Sequence, residues 1–337
     1  MIIGVNGYGF TGSGAVTDLL KEFQGPQVLD TIEFKISYMQ DGLEDLSYHL
    51  NNHPVRFYSS DMAIRRFRNL TRYVNKTYGP LTGGQFLPLV EVFLDSITQA
   101  QWHGMSSSHR IVTPQPQRWL RYTLAENMRK LLYKSAKVFL PLSDTGMYLS
   151  ISPENYLEAA RTFIKDVLTA MGLVGECIVL NQAFPADRPE FSFPYFEQPK
   201  AISVSRDPRD MYILAKTVAR HKARFIPSDD VEVFIIYYRK IMENTSSGDD
   251  TLRISFEDLV YRYEETVSVI QSFTCCGSHE RKRENFNPEV SRVNTNLSGR
   301  HPSLSRDIAR IEEALPEWLY PFERYGGQDV PVRGKVF

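Results

Sequence analysis

Hydrophobic positions recur along the chain with two periods, and the switching between them predicts an α/β protein. Residues 1–6 form a short, mostly apolar run, the pattern of a buried strand. Ala15, Val16, Leu19, Leu20 and Phe23 then recur at helical spacing over 14–24. Residues 31–38 (Thr-Ile-Glu-Phe-Lys-Ile-Ser-Tyr) alternate, predicting a second strand that completes a βαβ unit on a parallel sheet. From about 43 to 172 the pattern is helical, at 61–78, 86–101 and 118–135, with Gly/Pro/Ser loops at 79–84 and 104–117. Ser152-Pro153 predicts the cap and first position of a helix reaching Met171, which Gly172 ends. Strands are predicted again at 176–181, 200–205 and 251–256, and helices at 208–220, 229–243, 257–273 and 303–314. The expectation is a single α/β domain over 1–337, a parallel sheet flanked by helices, carrying a helical insertion at 43–172.

Charge narrows the function classes. Thirty-nine Lys+Arg against 40 Asp+Glu leave a formal charge of −1, so no whole-chain field holds nucleic acid or an anionic membrane. Any polyanion site must come from local clustering, and no nucleic-acid partner is expected. No apolar run approaches the ~20 residues that span a bilayer. Cys177, Cys275 and Cys276 have neither metal-site spacing nor an even count, so neither a disulfide framework nor a structural metal is expected. The first residues lack the basic start of a signal peptide, and a cytoplasmic setting is expected.

Residues 7–14, Gly-Tyr-Gly-Phe-Thr-Gly-Ser-Gly, join the first strand to the first helix. Glycines allow close backbone approach, and a helix start presents free N–H groups, so an anion is the natural occupant. Three phosphate-binding readings compete. Gly7-x-Gly9-x-x-Gly12 fits a dinucleotide fingerprint, with Glu33 near the expected ribose-binding acid. A nucleotide triphosphatase loop fits less well, because Ser13 and Gly14 stand where Lys and Ser/Thr belong. In the third reading, Gly12-Ser13-Gly14-Ala15 cradles a 5′ anion without magnesium, helped by the Thr11 and Ser13 hydroxyls.

A second anion signal lies at 200–214, where Arg206 ends a strand and Pro208 starts a helix within Arg-Asp-Pro-Arg-Asp. Ligands bind at that edge of a parallel sheet, and a guanidinium there can fork onto phosphate. With the glycine turn and with Leu252–Val260 (Leu-Arg-Ile-Ser-Phe-Glu-Asp-Leu-Val), this segment resembles sulfotransferases that use 3′-phosphoadenosine-5′-phosphosulfate. The resemblance covers roughly 1–40 and 176–320. It implies a P-loop-type α/β fold and sulfuryl transfer to a hydroxyl, with a carbohydrate as the expected acceptor. It further implies that Gly9, Thr11, Gly12, Ser13, Gly14 and Ala15 hold the 5′-phosphosulfate and that Arg206 binds the 3′-phosphate. The loop around Arg281-Lys282-Arg283, with Arg292 and Arg300 following, would close over that phosphate as a lid does in the family. Three positions depart from the family pattern: Gly12 replaces a common Lys, Leu214 a common Ser, and Ala183 lies where one branch has a catalytic His.

The reaction needs a base for the acceptor hydroxyl. The resemblance points to a carboxylate after the second strand, so Glu33 and Asp41 are the candidates; His49, His53, His103 and His109 fall in the insertion and read as ordinary histidines. Residues 56–76 hold six basic residues against Asp61 alone, and 110–137 hold seven against Glu126 alone. Such helices could attract an anionic glycan, although a solvated, acid-paired face is the default. Asp210 is expected to support its helix start and Glu257-Asp258 to be structural. The alternatives to sulfuryl transfer are a non-catalytic binder of a phosphorylated ligand on the same fold and, third, a nicotinamide-dependent oxidoreductase.

Overall fold

The computed structural model describes residues 1–104, 106, 108–109, 115–137, 145–218, 225–280 and 282–325. Of the basic residues above, Arg110 and Arg281 lie outside this set, as do the side chains of Arg118 and Arg121. The chain divides into two compact units, Met1–Ser37 with Leu173–Phe337, and Tyr38–Gly172.

The first unit is built on five parallel strands among the described residues. The strands among the described residues are β1 (Ile2–Gly7), β2 (Gln27–Leu29), β3 (Ala100–Gly104), β4 (Thr145–Leu149), β5 (Ile178–Asn181), β6 (Pro199–Ser205) and β7 (Thr251–Ser255). The sheet of the first unit runs β2-β5-β1-β6-β7, every pair parallel, with Ile3 opposite Val179 on one side and Lys200 on the other. This is an α/β fold with a parallel sheet flanked by helices, an arrangement consistent with the expected P-loop-like class. The dinucleotide fold sets its second strand beside its first; here β5 stands between β1 and β2, which argues against the oxidoreductase reading.

Period-two alternation puts Ile3 and Val5 of β1 on one face, where they pack with Val16, Leu19 and Leu20 of the helix Ser13–Leu20 and with Leu259, Val267 and Ile270. Around the helices Pro208–Thr217 and Val231–Glu243 a second apolar cluster forms, with Tyr212 and Phe234 at its centre. All five strands end on the same edge. The turn after β1, Gln182 after β5, Arg206 after β6 and Phe256 after β7 therefore converge there.

The second unit packs the helices Arg56–Leu81, Phe86–Ile97 and Tyr156–Ala170 around Phe67, Phe86, Phe93 and Phe163, the last two stacked at 5.2 Å. It also holds an antiparallel ribbon, β3 with β4, pairing Trp102 with Met147. No helix among the described residues is long and apolar enough to cross a membrane.

Four sequence expectations are corrected. The second strand is Gln27–Leu29, not 31–38. Ile32, Phe34 and Ile36 are buried as alternation requires, but Phe34 N–H to Asn181 O (2.8 Å) is the backbone bond that ties this segment to β5; the alternation reports a buried face, not a ladder. The helix expected from Ser152 starts at Tyr156; Ser152 has φ 46°, and its N–H donates to Leu50 O. The stretch 257–273 is two helices, Phe256–Tyr261 and Tyr263–Thr274, broken where Arg262 takes φ −124° and ψ 42°. Residues 118–135 likewise divide, a wide turn at Trp119–Leu124 preceding the helix Ala125–Ala136.

Candidate functional site

The turn after β1 is tied down by its own side chains. Thr11 donates both its N–H (3.2 Å) and its hydroxyl (2.9 Å) to Tyr8 O, so its one hydroxyl proton is spent inside the turn. Gly12 carries φ 84°, the left-handed conformation that glycine takes without strain. A Cβ there would lie 2.4 Å from the Phe256 ring. The phenyl group thus fills the direction a lysine would need at that position. Gly9 is backed by Phe225 and Ile226.

The helix that follows has no side-chain cap; Ala15 N–H already donates to Gly12 O at 3.0 Å, and the N–H groups ahead of it precede the intrahelical ladder. The Ser13 hydroxyl is oriented by Gln182. Gly7 N–H donates to Gln182 Oε1 (3.3 Å), which turns the amide so that Nε2 donates to Ser13 Oγ (3.1 Å). Ser13 is left with its proton to give. Gln182 was not among the residues singled out in the sequence; its only signal was its place just past a strand end. A Cβ on Gly14 would meet nothing within 4 Å, so the helix start is open on that side.

Arg206 reaches the same turn from β6. It is 2% exposed; Nη1 donates to Phe10 O at 2.8 Å, Nη2 donates to Asn294 O, and the guanidinium lies 4.8 Å over the Phe256 ring. Its Nε is buried with no partner among the described residues. Buried acids surround it. Asp210 is pushed up to about 6 by burial and by Asp207, against the pull of Arg206. Glu257 is pushed up to about 8 by burial and by Asp207 and Asp210, again against Arg206. Glu257 Oε1 accepts Asp207 N–H (3.1 Å), and Oε2 has no partner among the described residues.

The helix start at 208 is capped by Asp207, which accepts Arg209 N–H at 2.8 Å and is forked by the Arg209 guanidinium. Asp210, expected to support the helix start, stands in its first turn and also accepts Asn296 and Leu297 N–H, both at 2.8 Å, so that it holds the loop that supplies Asn294. In the helix after β7, Ser255 caps through Asp258 N–H, and Asp258 pairs with Arg262 at 3.5 Å.

Together these elements enclose a cavity of about 740 Å³ within the first unit. Thr11, Gly12, Ser13, Gly14, Ala15 and Arg206 line it, and Phe256, Arg283, Phe286 and Asn294 complete its wall. Its charged side chains are Arg206 and Arg283 against Asp18 and Glu284, with Asp18 paired to Lys21 at 2.7 Å. Gly9, Glu33, Arg292 and Arg300 are not among the lining residues. Arg292 lies 5.1 Å over the Tyr261 ring and pairs with Glu289 at 3.7 Å, and Arg300 donates to Val293 O. Glu33 is exposed and pairs with Lys35 at 2.5 Å.

Asp41 belongs to the second unit, where Arg66 Nε donates to it at 2.8 Å. In that unit Arg65 also pairs with Asp61 and Arg68 with Glu91, so the basic stretch 56–76 carries less field than its composition suggests. His109 is buried against Asp61 at 2.6 Å, His53 Nδ1 accepts Val55 N–H, His49 is held below its usual range by burial and by Arg66, and His103 is exposed on β3.

No family model and no curated protein matches the chain. Among solved structures, it is similar to the sulfotransferase domain of the Synechococcus PCC 7002 olefin synthase. The two share 14% identity with a TM-score of 0.29, over 74% of this chain and 92% of that one.

Proposed function

We propose that the cavity takes 3′-phosphoadenosine-5′-phosphosulfate and that the protein transfers its sulfuryl group to a hydroxyl, with a carbohydrate as the acceptor class. The observation that carries the reading is the bond from Arg206 Nη1 to Phe10 O, which sets the arginine of Arg-Asp-Pro against the glycine turn on one cavity wall. In this reading the 5′ end lies on Gly12–Ala15, receiving N–H groups and the Ser13 hydroxyl proton. The 3′-phosphate meets Arg206, whose Nε–H is the donor without a partner among the described residues. Of the residues that the resemblance offers for the lid, Arg283 takes that position, because it lines the cavity and Arg292 and Arg300 do not.

In the transfer the acceptor oxygen bonds to sulfur, the bridging S–O bond to the nucleotide breaks, and a base takes the acceptor's proton. Glu33 is proposed as that base because it follows β2, where the resemblance expects a carboxylate, although it is not among the residues lining the cavity; Asp41 is the second candidate. The cytoplasmic setting is proposed with the reaction.

A second reading, a phospho-ligand binder without turnover, is favoured by three positions. Phe256 fills the lysine direction at Gly12, Ala183 is fully buried, and Leu214 packs with Ile213, Leu297 and Ile308. Titration calorimetry with adenosine 3′,5′-bisphosphate tests both. Binding is expected, weakened in Arg206→Lys and lost in Arg206→Ala; absence of binding to the folded protein sinks both readings. Sulfate transfer over neutral and anionic glycans then separates enzyme from binder, and Glu33→Gln is expected to abolish turnover while leaving binding intact.

A further inference from the structure

Two of the three cysteines meet across the first unit. Cys177 directly precedes β5 and Cys276 follows the helix Tyr263–Thr274, yet their sulfurs lie 3.7 Å apart, both half-buried, while neighbouring Cys275 is exposed. We propose that Cys177 and Cys276 are a redox-active dithiol, closed to a disulfide by a low-molecular-weight disulfide such as oxidised glutathione, and that the bridge clasps the segment walling the cavity.

The surroundings assign the two thiols different parts. Cys276 is lowered to about 7 by the hydrogen bond from the Cys177 thiol, with Thr274 and Lys200 acting in the same direction; Cys177 is raised by the same contact and by burial. Cys276 is therefore the attacking thiolate and Cys177 the proton holder. The Cys276 thiolate attacks one sulfur of the small disulfide, forming a mixed disulfide and releasing one small thiolate. Cys177 then loses its proton, attacks Cys276 Sγ and expels the second. Two protein thiols are oxidised, one small disulfide is reduced to two thiols, and the two protein protons end on those thiols.

The bridge would act on the cavity through the chain that leaves Cys276. Gly277 N–H donates to Gln24 O (3.0 Å), Gln24 N–H to Ser278 O (3.1 Å) and Glu280 N–H to Glu22 O (2.9 Å), pinning this segment to the end of the first helix. The buried Glu22 carboxylate then accepts the N–H groups of Arg283, Asn285 and Phe286, three residues of the cavity wall. A covalent tie at Cys276 restrains the origin of that run. The inference stands whether or not the cavity takes the proposed donor.

The test treats the full-length protein with oxidised glutathione, alkylates the remaining thiols and maps the peptides by mass spectrometry. Two of the three thiols are expected to disappear, with the Cys177 and Cys276 peptides linked and Cys275 alkylated. Cys275→Ser should give the same bridge, and Cys177→Ser should stop at glutathione on Cys276. Backbone hydrogen exchange over 277–286 is expected to slow by about tenfold in the oxidised protein and to recover with reductant. A Cys275–Cys276 link, or a Cys177 that stays fully alkylatable, overturns the dithiol. Unchanged exchange in a bridged protein overturns the clasp.

Discussion

The two anion motifs of the cavity are built in opposite ways. The glycine turn spends Thr11 on Tyr8 but keeps donors elsewhere: Gln182 orients Ser13 so that its hydroxyl proton remains to give, and the helix start is open beside Gly14. The Arg206 corner spends its donors on protein carbonyls and sits among two buried acids. A site can thus be neutral in its lining charges and still present anion donors, because those donors are backbone dipoles rather than side-chain cations. The arginine acts first as the tie that places the turn, and only its remaining donors are open to a ligand.

The strongest way to break this contrast is Arg206→Ala. It strips Phe10 O and Asn294 O of their partner and leaves Asp210 and Glu257 without the cation that opposes their burial. A loss of about 3–5 kcal/mol is expected in urea unfolding, together with loss of bisphosphate binding. Arg206→Lys is expected to retain more of the stability than of the binding, since an ammonium keeps the charge but not the fork.

Next in size is the pH dependence of the same corner. The folded-state value of Glu257, about 8, lies above its ordinary 4.5, so its contribution to stability is complete below 4.5 and is lost as pH rises through about 8. Asp210 acts with the same sign between 3.8 and about 6. Unfolding free energies from urea titrations across this range are expected to fall by about 3–5 kcal/mol. Glu257→Gln is expected to flatten the slope above pH 6; an unchanged slope would refute the assignment.

Within the turn, a pair of variants sharpens the difference between neighbouring hydroxyls. Thr11→Val is expected to cost about 1–2 kcal/mol of stability, because Tyr8 O loses a buried donor. Ser13→Ala is expected to leave stability nearly unchanged but to weaken bisphosphate binding about fivefold to tenfold. Equal effects on both measurements would mean that the two hydroxyls play the same part. The smallest effect is reserved for Gly14→Ala, whose methyl meets open space: folding is expected to shift by less than about 1 kcal/mol, and any larger change should appear in ligand affinity alone.

The local elements with strong periodicity were readable: β1, β6, β7 and the helices around 208 and 231 fall where the pattern put them. So was the Arg-Asp-Pro turn, since proline at a first helical position has a local cause. Residues 31–38 misled because alternation is the mark of one buried face, and whether such a face also pairs with a neighbour depends on a strand 150 residues away. The parts played by Gln182 and by Phe256, itself in the quoted Leu252–Val260 segment, were not readable for the same reason, since they arise only where strand ends from distant parts of the chain meet.

By itself, the sequence determined that a glycine-rich bend opens a helix and that an arginine follows a later strand, because backbone freedom and helix starts are set by neighbours a few residues apart. Tertiary structure alone decided that the two share a cavity, that Arg206 is half occupied by carbonyls, that Asp210 and Glu257 lose water, and that Cys177 meets Cys276. Each of those facts depends on which strands lie side by side, and the order β2-β5-β1-β6-β7 is settled by the competition of whole faces for burial, not by any local pattern.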